Sequence, residues 1–381
     1  YTGAGASMRI GINLLYLIPE VVGGTETYAR ELIQSLLPQL SQNDELIVFC
    51  SRETAITFKP RLKLRVVTLP FYSHNRIARI LAEQILLPIA CQKNGIDLLL
   101  SLGYTQPFFL PCKSIVTIHD LNWHYHPEDF SLTARLLLQL LVTISVNRSS
   151  AIIAISSATK QSLVKVLAVE PNKISVIYHG MTKSVIDKRM IKQVREKFSL
   201  PNKYLFTVLS HYAHKNLETL IKAFLVIQKD EHDLHLVIAG TGTDSAKKLR
   251  ANYLNERGNQ NIHQLPFVTT QELATVYQES KIFVFPSAYE GFGLPVLEAM
   301  SHKVPAISSK AYSLNEVVGN GGILVDPYDA NQYILSIKKL LNNETLRHKY
   351  ISAGLKQVGQ FTWDKCARAT LVLINATYAT Q

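Results

Sequence analysis

The chain has 381 residues, 47% of them hydrophobic and 18% charged, with a formal net charge of +11. This composition excludes a disordered or low-complexity protein and supplies two ordinary cores without disulfides or a structural metal. Cys50, Cys91, Cys112 and Cys366 lie far apart with no Cys-x-x-Cys pair, which argues against a zinc site and a disulfide framework and fits a reducing cytosol.

Tyr1–Ser7 reads as an addition ahead of a natural start at Met8, and no secretory signal is visible. From Met8 onward, short β-branched runs alternate with longer helical patterns, the mark of parallel α/β architecture. Strands are predicted at Arg9–Leu15, Glu45–Cys50, Leu64–Leu69, Asp97–Leu102, Ser114–Ile118, Ala151–Ile155 and Ile174–Ile177. The apolar run Leu136–Val146 is too short to span a bilayer and reads as a buried helix. A basic, pattern-poor stretch follows Gly180, and 181–203 is taken as a hinge between residues 8–180 and 204–361. The alternation then restarts, with strands predicted at Tyr204–Leu209, Leu234–Ala239, Ile262–Leu265, Ile282–Phe285, Ala306–Ser308 and Gly322–Val325. The expected fold is therefore α/β: two doubly wound parallel-sheet domains in tandem, with ligands at the carboxyl ends of the strands, in the cleft between them.

Charge is concentrated in two places. Residues 181–203 are one; the other is 58–80, which holds Lys59, Arg61, Lys63, Arg65, Arg76 and Arg79 and no acid. Both could be solvated surface, or could meet something anionic such as a lipid surface. Nucleic acid is not expected, because no RNP-like strand, zinc-finger spacing or basic heptad region occurs.

Several motifs can carry chemistry. Gly23-Gly24 falls between the first strand and a helix opening near Thr25; it is either a tight turn or a place where backbone N–H groups approach an anion. His119-Asp120 ends a buried strand, where such folds place active sites, although a helix cap or a core histidine is the plain alternative. His124 and His126 follow, but with His119 they make no catalytic metal spacing, and no metal is expected. Lys215, preceded by His211 and His214, stands at the start of a helix whose dipole favours anions; a diphosphate between them would reconcile the two. Gly240-Thr241-Gly242 could open a dinucleotide fingerprint, but Ser245 breaks it. The strongest segment is Glu290-Gly-Phe-Gly-Leu-Pro-Val-Leu-Glu298, a loop that enters a helix through Leu294-Pro295. Its flanking glycines free N–H groups, and Glu298 can accept two hydrogen bonds from a vicinal diol such as ribose. The two acids could also merely complement the helix dipole.

On the Glu-x7-Glu motif, the following EAMSHKVPAISS and EVVGNGGILVDPYD, the Gly-Gly loop and the His-Asp pair, the chain resembles family 4 of the retaining nucleotide-sugar glycosyltransferases over almost all of 8–381. The resemblance implies the GT-B fold, two Rossmann-like domains facing across a cleft, with acceptor binding in 8–180 and nucleotide-sugar binding in 204–361. It also implies that 362–381 is a final helix crossing back to the first domain. By the same resemblance Gly23 and Gly24 approach the donor diphosphate and sugar, His119 contacts the transferred sugar, and Lys215 binds the diphosphate. Glu290 holds sugar hydroxyls with the N–H groups of Phe292, Gly293 and Leu294; Glu298 holds the ribose, and Pro266, Phe267 and Val268 lie against the base. The arginine that family members often carry before the lysine is absent, so His211 or His214 is the candidate second cation.

The implied activity is retaining transfer of a hexose to a saccharide or lipid-linked acceptor, in surface polysaccharide or glycolipid synthesis, with no cofactor beyond the donor. A cytoplasmic enzyme, peripheral on the inner face of the cell membrane through 58–80, is the expected setting. The rivals are an NAD-dependent Rossmann enzyme acting on sugar nucleotides, for which a full Gly-x-Gly-x-x-Gly is wanting, and a non-catalytic sugar-nucleotide-binding protein.

Overall fold

The computed structural model describes residues 7–19, 23–182, 186–209, 212–240 and 260–380. The chain divides into two units, residues 1–180 with 362–381, and residues 181–361.

The first unit holds β1 (Arg9–Asn13), β2 (Glu45–Cys50), β3 (Leu64–Thr68), β4 (Leu98–Ser101), β5 (Lys113–Ile118), β6 (Ala151–Ala154) and β7 (Ile174–Val176). All pair in parallel, in the order β3-β2-β1-β4-β5-β6-β7. Parallel strands need crossover helices, which cover both sheet faces; this is why β6 is an unbroken apolar run, and β4 is one as far as Ser101, with every residue buried. On one face Ile10, Ile12 and Leu100 pack with Tyr28 and Leu32 of the helix Gly24–Leu36 and with Trp363, Ala367 and Ile374 of the C-terminal helix Trp363–Ala379. That last helix is also pinned by its end, where Lys113 Nζ donates to the carbonyl of Thr377 at 3.0 Å.

The second unit holds β8 (Tyr204–Val208), β9 (His235–Ala239), β10 (Ile262–Gln264), β11 (Ile282–Phe285), β12 (Ala306–Ser309) and β13 (Ile323–Val325). They pair in parallel in the order β10-β9-β8-β11-β12-β13. Both sheets therefore reverse their winding once, between β1 and β4 and between β8 and β11, and the carboxyl ends of those strand pairs are where doubly wound folds bind ligands. The thirteen strands are those expected from the sequence, to within a residue or two at their ends.

Two expectations are corrected. The stretch 181–203 belongs to the second unit and carries a ten-residue helix, Lys188–Lys197, capped by the Asp187 carboxylate on Arg189 N. Its apolar positions are few, so the pattern hid it, but the aspartate cap and Arg195, which donates to Glu279 at 3.0 Å, hold it. The run Leu136–Val146 is interior on one side only. In the helix Leu132–Arg148, Leu141, Val142 and Val146 are buried, whereas Leu136 and Leu140 are exposed.

Candidate active site

In the second unit the loops leaving β8 and β11 are neighbours because their strands are. Asn216 closes the β8 loop at φ 54°, a left-handed conformation that asparagine tolerates better than most residues. Its side-chain amide donates to the carbonyls of Pro286, at 3.1 Å, and Pro327, and its Oδ1 accepts from Thr219 Oγ1 at 2.7 Å. Two residues earlier, the His214 carbonyl accepts from Ala288 N at 2.7 Å. These bonds clamp one loop onto the other. The clamp puts Lys215 Nζ 2.7 Å from Glu290 Oε1, both side chains mostly withdrawn from solvent.

Beyond Glu290 the chain enters the helix Leu294–Ser301. Gly293 sits at φ 107°, which calls for glycine, and a Cβ there would stand 2.5 Å from Leu314 Cδ2 and push that side chain aside. The Ser313 hydroxyl lies 2.7 Å from the Glu290 carbonyl and 3.0 Å from that of Phe292, fixing the loop's path. Among the described residues no side chain caps this helix, and its positive end is left for a ligand. Glu298, one turn in, accepts a 2.9 Å hydrogen bond from Tyr277 Oη. Burial pushes the Glu298 carboxyl above its ordinary range, and the Tyr277 bond partly offsets that shift.

The other donor-side positions are less concentrated. His214 is buried, its ring stacked on Tyr212 at 5.7 Å and 14°. His211 lies outside the described residues, as do Thr241 and Gly242. Gly240 is described at φ 137°, and a Cβ there would meet the Leu209 carbonyl at 1.9 Å, so the end of β9 needs a glycine whatever follows. Pro266 and Phe267, exposed, and Val268, partly exposed, follow β10.

In the first unit Gly23, at φ 58° and ψ −125°, precedes the helix Gly24–Leu36, and among the described residues nothing lies within 4 Å of where its Cβ would be. His119 follows β5; its Nε2 is 2.8 Å from the Leu102 carbonyl, and its ring packs against Tyr28, Tyr104 and His179 at 5.1–5.6 Å between centroids. Burial lowers the His119 pKa, against the raising effect of the Leu102 carbonyl, so the neutral ring is favoured. Asp120 accepts from Tyr104 Oη at 2.8 Å and Asn122 N at 3.0 Å, a turn-fixing role.

Three participants escaped the sequence reading. Tyr277 and Ser313 lie in other elements and meet the Glu-x7-Glu segment only through the fold. Glu83 is a buried carboxylate in a π-helical turn; Asn13 Nδ2 at the end of β1 donates to it at 2.9 Å, and Thr105 Oγ1 at 2.9–3.0 Å. A π turn is itself a frequent mark of function, but no local pattern announces one. Among the described residues no three His, Cys, Asp or Glu side chains group as metal ligands.

Two family profiles match the chain, one described as Glycosyltransferase Family 4 over residues 22–184 and one as Glycosyl transferases group 1 over residues 190–357. The chain is 28% identical over 277 residues to O-antigen chain mannosyltransferase B of Escherichia coli, covering 69% of this chain and 71% of that one. It is 30% identical over 225 residues to O-antigen chain mannosyltransferase RfbU of Salmonella typhimurium, covering 59% and 60%. Among solved structures, sucrose-phosphate synthase from Thermosynechococcus elongatus superposes with a TM-score of 0.78 at 18% identity, over 98% of this chain and all of that one. Anabaena HepE, solved with UDP and glucose, gives 0.75 at 18% identity, over 97% of this chain and all of that one. At that identity the likeness is one of fold.

Proposed function

The chain belongs to glycosyltransferase family 4, and from that premise we propose that it moves a hexose from a nucleoside-diphosphate sugar to a saccharide or lipid-linked acceptor, with retention at the anomeric carbon. The observation that carries this reading is the Lys215–Glu290 pair, 2.7 Å apart at the carboxyl ends of β8 and β11 and next to the uncapped start of the helix Leu294–Ser301. A diphosphate entering there meets one ammonium and a set of N–H groups, and both strengthen their hold as negative charge grows on the leaving group. Glu290, held by the same lysine, presents a carboxylate to the hydroxyls of the transferred sugar. Glu298 takes the ribose, and exposed Phe267 offers a face for the base. The reading calls on no metal, since the charge is met by the lysine and the helix end.

Gly23 and His119, the latter kept neutral, are proposed as further donor-contacting residues, His119 through a hydrogen bond to a sugar hydroxyl. The mannosyltransferase names of the two relatives make mannose the first sugar to test and favour a role in surface polysaccharide assembly; peripheral attachment at the cytoplasmic face of an anionic membrane is a further part of the proposal. No helix among the described residues is long and apolar enough to cross a membrane.

The test is a thermal-shift comparison of UDP-, GDP-, ADP- and dTDP-sugars, followed by donor turnover with and without oligosaccharide acceptors. One nucleotide sugar should raise the melting temperature, as a ligand of the native state must. If none does, and no donor is consumed, the reading fails.

A further inference from the structure

The helix Leu132–Arg148 is apolar nearly all round, yet only one side of it is covered. Leu132, Leu136 and Leu140 project outward with 68%, 56% and 56% of their surface exposed. The segment 76–93 repeats the arrangement: Ile77, Leu81, Ile85 and Ile89, four residues apart, are exposed, while Ala82, Leu87, Ala90 and Cys91 are buried. A four-residue repeat drifts round an α-helix of 3.6 residues per turn. The π turn Ala82–Leu86 takes up the extra residue and keeps the four side chains in one stripe.

The two stripes share a face of the first unit. Leu99 packs with the 76–93 segment and Val116 with the helix Leu132–Arg148. In the sheet register Leu99 stands beside Ser114, and Ser101 beside Val116, so both segments cover the same side of β4 and β5. The loop between those strands ties them together, with Phe108 N donating to Gln84 Oε1 and Gln106 N to Ser145 Oγ, each at 3.0 Å. On that loop Phe109 is exposed, and the Arg148 guanidinium lies over its ring at 5.6 Å.

The charges that these two segments bring to the surface have one sign. They hold Arg76, Arg79, Lys93, Arg135 and Arg148, and a single acid, Glu83, which is buried. We infer that this face of the first unit docks on an anionic phospholipid surface, its isoleucines and leucines entering the acyl boundary and its cations meeting lipid phosphates. Apolar side chains flanked by cations are the combination that binds such an interface, and an exposed apolar patch of this extent marks a contact surface. A second copy of the chain is the poorer occupant, because a two-fold interface brings the same patch, and so the same cations, against each other. The inference deepens the membrane attachment in the proposed function and moves it off most of the 58–80 run. In that run Lys63 is spent on the Leu40 carbonyl at 2.9 Å, and Arg65 is paired with Glu45 at 3.6 Å.

The experiment is co-sedimentation of the full chain with vesicles of phosphatidylcholine alone or mixed with phosphatidylglycerol, without donor or acceptor, so its outcome is independent of turnover. The wild type should bind the anionic vesicles and not the neutral ones, and release in high salt. Leu81→Glu with Leu136→Glu should abolish binding, and Arg76→Ser with Arg135→Ser should weaken it about fivefold per arginine, with melting temperatures and donor binding kept. Binding that is absent, equal on both vesicles, or retained by the glutamate variant overturns the inference. So does a wild-type dimer in sedimentation velocity that the glutamate variant turns into a monomer.

Discussion

Lys215 and Glu290 are 75 positions apart in the chain, and their side chains meet at 2.7 Å. The pairing exists because β8 and β11 are neighbours and because Asn216 fastens one loop to the other. Each charge is partly buried and neutralised by the other, so removing one leaves the other exposed to the cost of an unpaired partner.

Lys215→Ala and Glu290→Ala should therefore each lower turnover by about 10²–10³-fold, the scale for losing a preorganised group that acts on transition-state charge. The double variant should lose far less than the product of the two, because the pair acts as a unit. Steady-state kinetics on the proposed donor check this. Full activity in Lys215→Ala would remove the assignment.

Glu298→Gln should weaken donor binding by about 10- to 100-fold while leaving turnover at saturation nearly unchanged, since on the proposed reading the carboxylate accepts from a part of the donor remote from the reacting bond. Burial raises the Glu298 pKa, so its charged form is lost at higher pH than for an ordinary carboxyl. Donor affinity of the wild type should thus fall as pH drops towards that raised pKa, and the glutamine variant should be flat. Calorimetric titration across that range distinguishes the two.

Asn216→Ala should destabilise the protein more than Asn216→Gly does. Both lose the bonds to Pro286, Pro327 and Thr219, but only alanine also opposes the left-handed backbone, by about 1–2 kcal/mol. Denaturant midpoints give the order. An alanine variant as stable as the glycine one would mean that the backbone relaxes.

His119 and His179 both have pKa values lowered chiefly by burial, His179 further by its neighbour His119. The unfolded chain takes up protons on both near pH 6.5 and the folded chain resists, so stability is level above about pH 6.5 and declines as pH falls below it. Urea titrations between about pH 7.5 and 5.5 should show this decline. His179→Phe, which keeps an aromatic ring between Tyr28 and Trp363, should reduce its slope by about one proton.

The amino-acid sequence alone settled what depends on neighbours along the chain. Alternating apolar runs and helical patterns defined thirteen parallel strands and two doubly wound sheets, because a strand buried on both faces must be continuously apolar. The glycines at 23 and 293 marked the helix entries, because only such residues take those backbone angles cheaply. Tertiary structure decided what depends on which strands lie side by side. The lysine–glutamate pair, the tyrosine on Glu298 and the Ser313 brace all join elements that no local pattern connects. It also decided which apolar side chains remain uncovered. Leu136 and Val146 read alike in sequence, but a helix has two sides and the sheet covers only one.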